Sequence, residues 1–582
     1  LKAELDEICA NPVERTRTAK LRVFQRKLAS LTILDPACGS GNFLTETYLS
    51  LRRLENKVLV ELSHGQVAMY SASESPIQVS ISQFYGIEIN DFAVTVAKTA
   101  LWIAESQMMK ETESIVLMHL DFLPLKTNAN ITEGNALRID WENIIPKNEL
   151  SYIMGNPPFI GYSLQTKEQK EDILSIYVDE NGKPYKTAGK VDYVAGWYFK
   201  AAQLMQNTVI QTAFVSTNSI TQGEQVAAVW KPLYERFHVH IDFAHRTFIW
   251  DSEASQKAHV HCVIVGFSTK LNTKERVLYS SDRFQVVDNI NAYLVNAPDI
   301  FVESNKKPIC DVPEMVKGSS PVDGGNFFLD QEAYNLFSEK EPQSLKYIKQ
   351  FFGAREYLHN IPRWCLWLIH ISPSELLKMP LVKERVDAVK NFRLSSTKKA
   401  TRKYAEFPLR FMELRQPETN YILIPRHSSE NRRYIPFGFV NSDIICGDAN
   451  NMIPNATLYQ FGVLTSNVHM AWMRTVCGRI KSDYRYSNDI VYNNFPWPTP
   501  SVQQKQKIEQ TAKAILDARL LYPDSSLADL YDEVAMPPEL RKAHQNNDRT
   551  VMQAYGFSVK DMTESMCVAE LMKLYQEKLN NN

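Results

Sequence analysis

Leu31-Thr32-Ile33-Leu34-Asp35-Pro36-Ala37-Cys38-Gly39-Ser40-Gly41 decides the fold class. A short apolar run enters a glycine-bearing turn. Leu44, Tyr48 and Leu51 then follow at helical spacing, the pattern of a first βα unit whose helix buries one face against a sheet. Gly39 and Gly41 let the backbone approach a ligand that a Cβ would exclude. No Gly-Lys-Ser/Thr follows, as a phosphate loop needs, and the second glycine pair of a dinucleotide fingerprint is missing. The acid in the turn, Asp35, suits instead a cationic ligand with hydroxyls and an amino-acid end, a description that S-adenosylmethionine fits. Ala37, Cys38, Asn42 and Phe43 complete the expected cofactor turn, with Cys38 as a small buried residue rather than a nucleophile.

The next apolar run ends Phe84-Tyr85-Gly86-Ile87-Glu88. It places a carboxylate where α/β sites hold ribose hydroxyls, at the carboxyl ends of adjacent parallel strands. Glu88 is the expected ribose ligand, with Ile89 beside it. Glu88 lies further from Gly41 than the usual spacing of about 20 residues, which assigns the polar stretch 56–80 to an insertion. Asn135-Ala136-Leu137-Arg138-Ile139-Asp140-Trp141 repeats the strand-then-acid pattern, and Asp140 is expected to accept from the adenine amine of the cofactor.

Asn156-Pro157-Pro158-Phe159, after the apolar Tyr152-Ile153-Met154 and Gly155, gathers amide and carbonyl groups beside an aromatic ring at a strand end. The Asn156 side-chain oxygen and the Pro157 carbonyl can each accept one hydrogen of an exocyclic amine, while two prolines stiffen the loop. Phe159 can stack on a ring face. Phe248 or Trp250 is a candidate for the opposite wall, in competition with ordinary core packing. The same dipeptides also make plain turns; the glycine turn upstream favours the site.

At 582 residues, 44% hydrophobic and 23% charged, the chain can bury several cores. It has no apolar span long enough for a membrane helix and no basic-then-apolar leader. Eight cysteines without a Cys-x-x-Cys pair point to reduced thiols, no metal and a cytoplasmic setting. The net charge of −1 gives no global sign of nucleic acid. Charge is uneven, however: across 381–440 thirteen Lys and Arg stand against six Asp and Glu, which suits a local phosphate-tracking face as well as a solvated loop.

Strands and helices alternate from about residue 30 to 268, with a crossover helix expected over 191–205 and strands over 213–216 and 260–267. From about 305 to 500 the rhythm stops and aromatic and basic residues mix; beyond Pro500 an amphipathic helix opens a small helical cap. The expected organisation is a lead-in of one helix and a loop (1–30), a Rossmann-like α/β domain with a mixed sheet (31–305), an α+β domain (306–500) and a helical C-terminal region (501–582).

The order of glycine turn, ribose acid, adenine acid and Asn-Pro-Pro-Phe resembles the amino-methyltransferases of DNA in their gamma motif order. Further on, Pro425-Arg426-His427-Ser428-Ser429-Glu430, Tyr484-Arg485-Tyr486-Ser487, and above all Tyr492-Asn493-Asn494-Phe495-Pro496-Trp497-Pro498 resemble the recognition region of MmeI-type (Type IIL/IIG) restriction-modification enzymes. So do Ser526-Leu527-Ala528-Asp529-Leu530-Tyr531 and Ala543-His544 in the tail. The likeness covers nearly the whole chain.

The resemblance implies a site-specific adenine-N6 methyltransferase acting on double-stranded DNA with S-adenosylmethionine and without a metal, within a restriction-modification or phage-defence system. Asn156, Pro157, Pro158 and Phe159 would be catalytic, the base stacking on Phe159 and Phe248. Asp35, Ala37, Cys38, Gly39, Gly41, Asn42, Phe43, Glu88, Ile89, Asp140 and Asn156 would hold the cofactor. Lys398, Lys399, Arg402, Lys403, Arg426, Arg432, Arg433, Lys481 and Arg485 would meet DNA. Asparagine at the first tetrapeptide position favours adenine over cytosine N4, and cytosine C5 chemistry lacks its Pro-Cys loop here. Competing readings are an RNA guanine-N2 or protein-glutamine methyltransferase, or a non-catalytic DNA-binding subunit. The family also implies an endonuclease domain upstream in the parent protein, so this stretch is expected to methylate without cutting.

Overall fold

The computed structural model describes residues 1–63, 76–117, 129–250, 260–270, 275–281 and 283–580. The chain divides into two compact units, one of residues 1–221 and 225–295, the other of 222–224 and 296–582.

The first unit is built on a nine-stranded sheet among the described residues: β1 (Ile33–Asp35), β2 (Phe84–Glu88), β3 (Asn130–Glu133), β4 (Tyr152–Gly155), β5 (Gln211–Thr217), β6 (His240–Trp250), β7 (Val260–Ser268), β8 (Arg276–Ser280) and β9 (Arg283–Val287). Their order is β3-β2-β1-β4-β5-β7-β6-β8-β9. The pairs among β1 to β5 are parallel, while β7 runs antiparallel between β5 and β6, giving the expected mixed sheet. The chain moves outward from β1 to β3, then returns to lay β4 on the other side of β1. That reversal opens a crevice at the strands' carboxyl ends. Asp35 pairs with Gly86, and Leu34 with Ile153, so the ends of β1, β2 and β4 lie level.

Two helices, α1 (Lys2–Cys9) and α2 (Glu14–Ser30), occupy the lead-in where one helix and a loop are expected. Pro12 breaks them apart, and α2 buries Leu21, Phe24 and Leu28. The α3 helix (Asn42–Ser63) carries the glycine turn's apolar face inward through Leu44, Tyr48 and Leu51. It also corrects the insertion at 56–80. Asn56, Val58 and Leu59 are buried helix residues, Glu55 accepts from Gln78 N at 2.7 Å, and only 64–75 lie outside the described residues. The remaining helices are α4 (Asp91–Val116), α5 (Lys167–Ile176), α6 (Ala195–Leu204) and α7 (Gly223–Phe237). The α6 helix starts later than expected because Asp192 and Tyr193 bond to the loop after the tetrapeptide.

Among the described residues the second unit has two four-stranded sheets and a three-stranded one formed by His427–Ser428, Asp483–Arg485 and Gly478–Ile480. Helices Val502–Leu520, Pro538–Ala554 and Glu564–Asn580 close the chain. Asp548 accepts from Tyr434 Oη at 2.6 Å and from Asn467 N at 2.7 Å, so the C-terminal helices share a buried polar network with the sheets before them. The string 492–498 is internal. Asn494 Nδ2 donates to Glu303 O and Asp489 O, each at 2.8 Å, and Asn493 Nδ2 to Asn305 O at 2.7 Å. Among the described residues no helix is long and apolar enough to cross a membrane.

Candidate active site

A cavity of about 620 Å³ opens at the carboxyl ends of the central strands, lined by Ala37 after β1, Glu88 and Ile89 at β2, Asn135 after β3, and Asn156 after β4. Asp35, two residues before Ala37, is outside the lining and 1% exposed, accepting from Ala37 N at 2.9 Å. Burial pushes its carboxyl up to about 7; the Ala37 bond opposes that and nearby Glu88 adds to it. Glu88 accepts from Gly39 N at 3.0 Å and Asn90 N at 2.9 Å, tying the glycine turn to the start of α4 and fixing the carboxylate at the cavity wall. Trp197 Nε1 on α6 donates to Pro36 O at 3.0 Å and closes the turn from the other side. The two turn glycines differ in what they do. Both have positive φ, +53° at Gly39 and +83° at Gly41. A Cβ at Gly39 would meet nothing, whereas one at Gly41 would lie 3.0 Å from Ala97 Cβ of α4. Gly41 therefore also serves backbone shape and helix packing.

The strand expected before Asp140 needs correcting. The strand is β3, Asn130–Glu133; residues 135–139 form a turn in which Arg138 N and Ile139 N both donate to Asn135 O. Asp140 is exposed, outside the cavity lining, and caps the next turn by accepting from Glu142 N at 3.1 Å. Three residues that the sequence reading missed hold this wall. Lys200 of α6 donates to Ala136 O at 2.7 Å and to Ile139 O, and burial lowers its ammonium to about 8. Asp172 of α5, 4% exposed, accepts from Asn135, Arg138 and Tyr193. Tyr193, the third, lines the cavity beside it. None has a local signature, because each meets the turn from a helix or loop distant in sequence.

At the β4 end, Asn156 Oδ1 is buried with no hydrogen-bond partner among the described residues. Gly155 is required there, since a Cβ would stand 2.4 Å from Asp35 Oδ1. The following loop is pinned: Asp192 accepts from Tyr162 N at 3.0 Å and Ser219 Oγ at 2.6 Å, and Tyr193 N donates to Ile160 O at 2.9 Å. Pro158 lines the cavity, while Phe159 is half-buried and outside its lining. Phe248 is half-buried on β6, packed edge-on against His245 at 5.0 Å between centroids, and Trp250 is 39% exposed. The Asp35 cradle, the Glu88 carboxylate and the unsatisfied Asn156 acceptor fit a ligand with a cationic amino-acid end, ribose hydroxyls and a reacting centre near β4.

Residues 12–280 match the MmeI DNA-methyltransferase domain, 296–499 the MmeI target recognition domain, and 501–581 the MmeI C-terminal domain. A solved structure of the Type IIL restriction-modification enzyme MmeI in complex with DNA superposes with a TM-score of 0.89 at 43% identity, covering 99% of this chain and 76% of that one. The chain belongs to the MmeI family. Among curated relatives, DNA methyltransferase A of Bacillus subtilis is 40% identical over 564 residues, 96% of this chain; the chain spans 62% of that protein's length. A putative type II restriction enzyme and methyltransferase of Methanocaldococcus jannaschii is 28% identical over 137 residues, covering 23% of this chain and 11% of that protein.

Within the stretch that matches the MmeI target recognition domain, the basic candidates fall into three settings. Lys398, Lys399, Arg402 and Lys403 are exposed on and before the short helix Lys399–Lys403, where Arg402 donates to Ser396 O at 2.7 Å and Thr397 O at 2.8 Å. On the three-stranded sheet Arg485 pairs with His427; Lys481 turns the hairpin at φ +57°. Burial and then the neighbouring Arg485 lower the Arg426 pKa, and His427 is lowered by burial and by both arginines. Such like charges side by side suit an anionic partner. Arg432 and Arg433 line a cavity of about 500 Å³ against the C-terminal helices. The basic run 381–440 is not all surface. Arg393 is fully buried and donates to Pro321 O, Val322 O, Phe407 O and Arg410 O at 2.7–3.0 Å.

Proposed function

We propose that the chain transfers a methyl group from S-adenosylmethionine to N6 of an adenine drawn out of duplex DNA, at sites selected by the stretch 296–499. The observation that carries this is Asn156 Oδ1, a buried acceptor without a partner at the end of β4, in a cavity that also presents Glu88. A buried acceptor left unpaired costs roughly 1–3 kcal/mol, which a ligand's amine hydrogen recovers. Bound S-adenosylmethionine supplies an electrophilic sulfonium methyl. Asp35 offers a buried carboxylate near the cationic end, and Glu88 faces the ribose hydroxyls.

An adenine amine is a poor nucleophile because its lone pair is delocalised into the ring. With Asn156 Oδ1 and Pro157 O each accepting one hydrogen, the nitrogen is drawn toward tetrahedral geometry, and the pinned loop keeps that arrangement at little entropic cost. In this reading Phe159, half-buried and outside the cofactor lining, stacks on the extruded base and offsets part of the unstacking. In the whole protein such methylation would mark a restriction-modification system's own sites in the cytoplasm; the nuclease partner is proposed on family grounds alone.

The test is Asn156→Ala with duplex DNA and labelled cofactor. Methyl transfer should fall by about 10²–10⁴-fold while cofactor affinity, measured by calorimetry, stays within severalfold. Mapping the labelled base in wild-type product tests adenine N6. Wild-type turnover by the variant, or label in RNA or protein but not in DNA, defeats the proposal.

A further inference from the structure

The acceptor for the cofactor's purine amine has to be found elsewhere than at Asp140, which turns to Glu142 N. Asn135 is engaged at both ends of its amide, Oδ1 accepting from Leu137 N at 2.9 Å and Nδ2 donating to Asp172 at 3.0 Å, and the acceptor site left on Oδ1 is that of a neutral amide, weaker than a carboxylate's. Glu88 takes the turn amides at the ribose side. Of the three carboxylates that line the cavity, Glu88 is half-buried, Glu168 is exposed and Asp172 of α5 is buried. Its Oδ2 accepts from Asn135 Nδ2 and from Tyr193 Oη at 2.9 Å, and its Oδ1 from Arg138 Nε at 2.6 Å. A carboxylate offers about four acceptor sites. Three donors leave one, on Oδ1, and all four residues of this network line the cavity.

We propose that Asp172 accepts the exocyclic amine of the cofactor's purine and so selects adenine over a 6-oxopurine, an inference that rests on the reading of this cavity as the S-adenosylmethionine site. Arg138 pairs with Oδ1 from one side, and Asn135 with Tyr193 holds Oδ2 from the other, so the group cannot rotate away. As an acceptor-only group it rewards an amine and opposes a carbonyl oxygen, which would face it lone pair to lone pair. Sequence reading had no access to this, because α5 follows the tetrapeptide and reaches the adenine wall only through the fold.

The experiment is calorimetric titration of the full chain with S-adenosylhomocysteine and S-inosylhomocysteine, for wild type and Asp172→Asn. Wild type should prefer the adenosine form by about tenfold or more, the worth of a hydrogen bond to a charged group. Asp172→Asn, which presents both a donor and an acceptor, should bring the preference close to one. Wild type that binds the two forms alike overturns the proposal. So does a variant that weakens both by the same factor, since Asp172 then only secures α5. If the variant does not fold, Arg138→Met, at a side chain 58% exposed, must still reduce the preference severalfold; an unchanged ratio overturns the assignment. Wild type that binds neither form defeats the reading of the cavity itself, and this proposal with it.

Discussion

A Cβ built on Gly155 would stand 2.4 Å from Asp35 Oδ1, so the residue before the Asn-Pro-Pro-Phe tetrapeptide and the acid of the glycine turn pack directly against each other. Asp35 cannot retreat, being buried and held by Ala37 N. Gly155→Ala should therefore move the β4 end and cost about 1–3 kcal/mol as overpacking. Cofactor affinity and thermal stability should fall together; a variant with wild-type melting and calorimetry would show that the two strand ends yield independently.

Gly41→Ala should destabilise more than Gly39→Ala. Both force a side chain into left-handed backbone, at about 1–2 kcal/mol, but only Gly41 also meets Ala97, at 3.0 Å. Denaturant titration of the two variants gives the ranking, and equal midpoints would contradict it.

If Asp35 holds the cofactor as proposed, binding should depend on pH in a definite direction. Its folded pKa is raised from 3.8 to about 7, so between those values the folded chain holds a proton that the unfolded chain releases. Stability then declines as pH rises from about 4 to about 7. A cationic ligand favours the ionised form, so affinity should increase with pH across the same window and level off above it. Calorimetry in buffers of different ionisation enthalpy should record proton release on binding at pH 6 that fades by pH 8. Asp35→Asn should abolish both the release and most of the affinity.

Asp35, Glu88 and Asn156 were legible because each ends an apolar run, and chain direction alone puts such ends on one edge of a parallel sheet. Asp140 misled because a turn with apolar residues at alternate positions, Leu137, Ile139 and Trp141, reads like a strand; its Asn135 carbonyl accepts two amides, which no periodicity reveals. The packing demand on Gly41 was not legible, since Ala97 arrives from a helix beyond the next strand. Asp172, Lys200 and Trp197 stayed hidden for the same cause. They are single polar positions on helices whose partners are backbone carbonyls or side chains from other elements. The string 492–498 was conspicuous yet describes interior support: Asn493 and Asn494 bind the carbonyls of Asn305 and Glu303.

Among the basic candidates, the exposed lysines and the sheet arginines should behave differently toward DNA. Lys398, Lys399 and Lys403 stand in solvent, as phosphate contacts do. Alanine at any one should weaken every duplex alike and reduce the slope of log affinity against log salt by about one unit. Arg402 departs from that group. Its guanidinium holds Ser396 O and Thr397 O, so Arg402→Ala should also loosen the turn before its helix and raise local amide exchange. Arg485 lies on the three-stranded sheet opposite His427, next to Arg426 in sequence, and burial and then the Arg485 charge lower the Arg426 pKa, a setting that suits an anion or a base acceptor. Arg485→Ala should relax discrimination at one position of the recognition site by about 1–3 kcal/mol with little change in affinity for unrelated DNA. Competition binding between the cognate duplex and single-base variants, repeated at two salt concentrations, separates the two behaviours. If the lysine variants change one base position and the Arg485 variant only the salt slope, the roles assigned to the two faces are reversed.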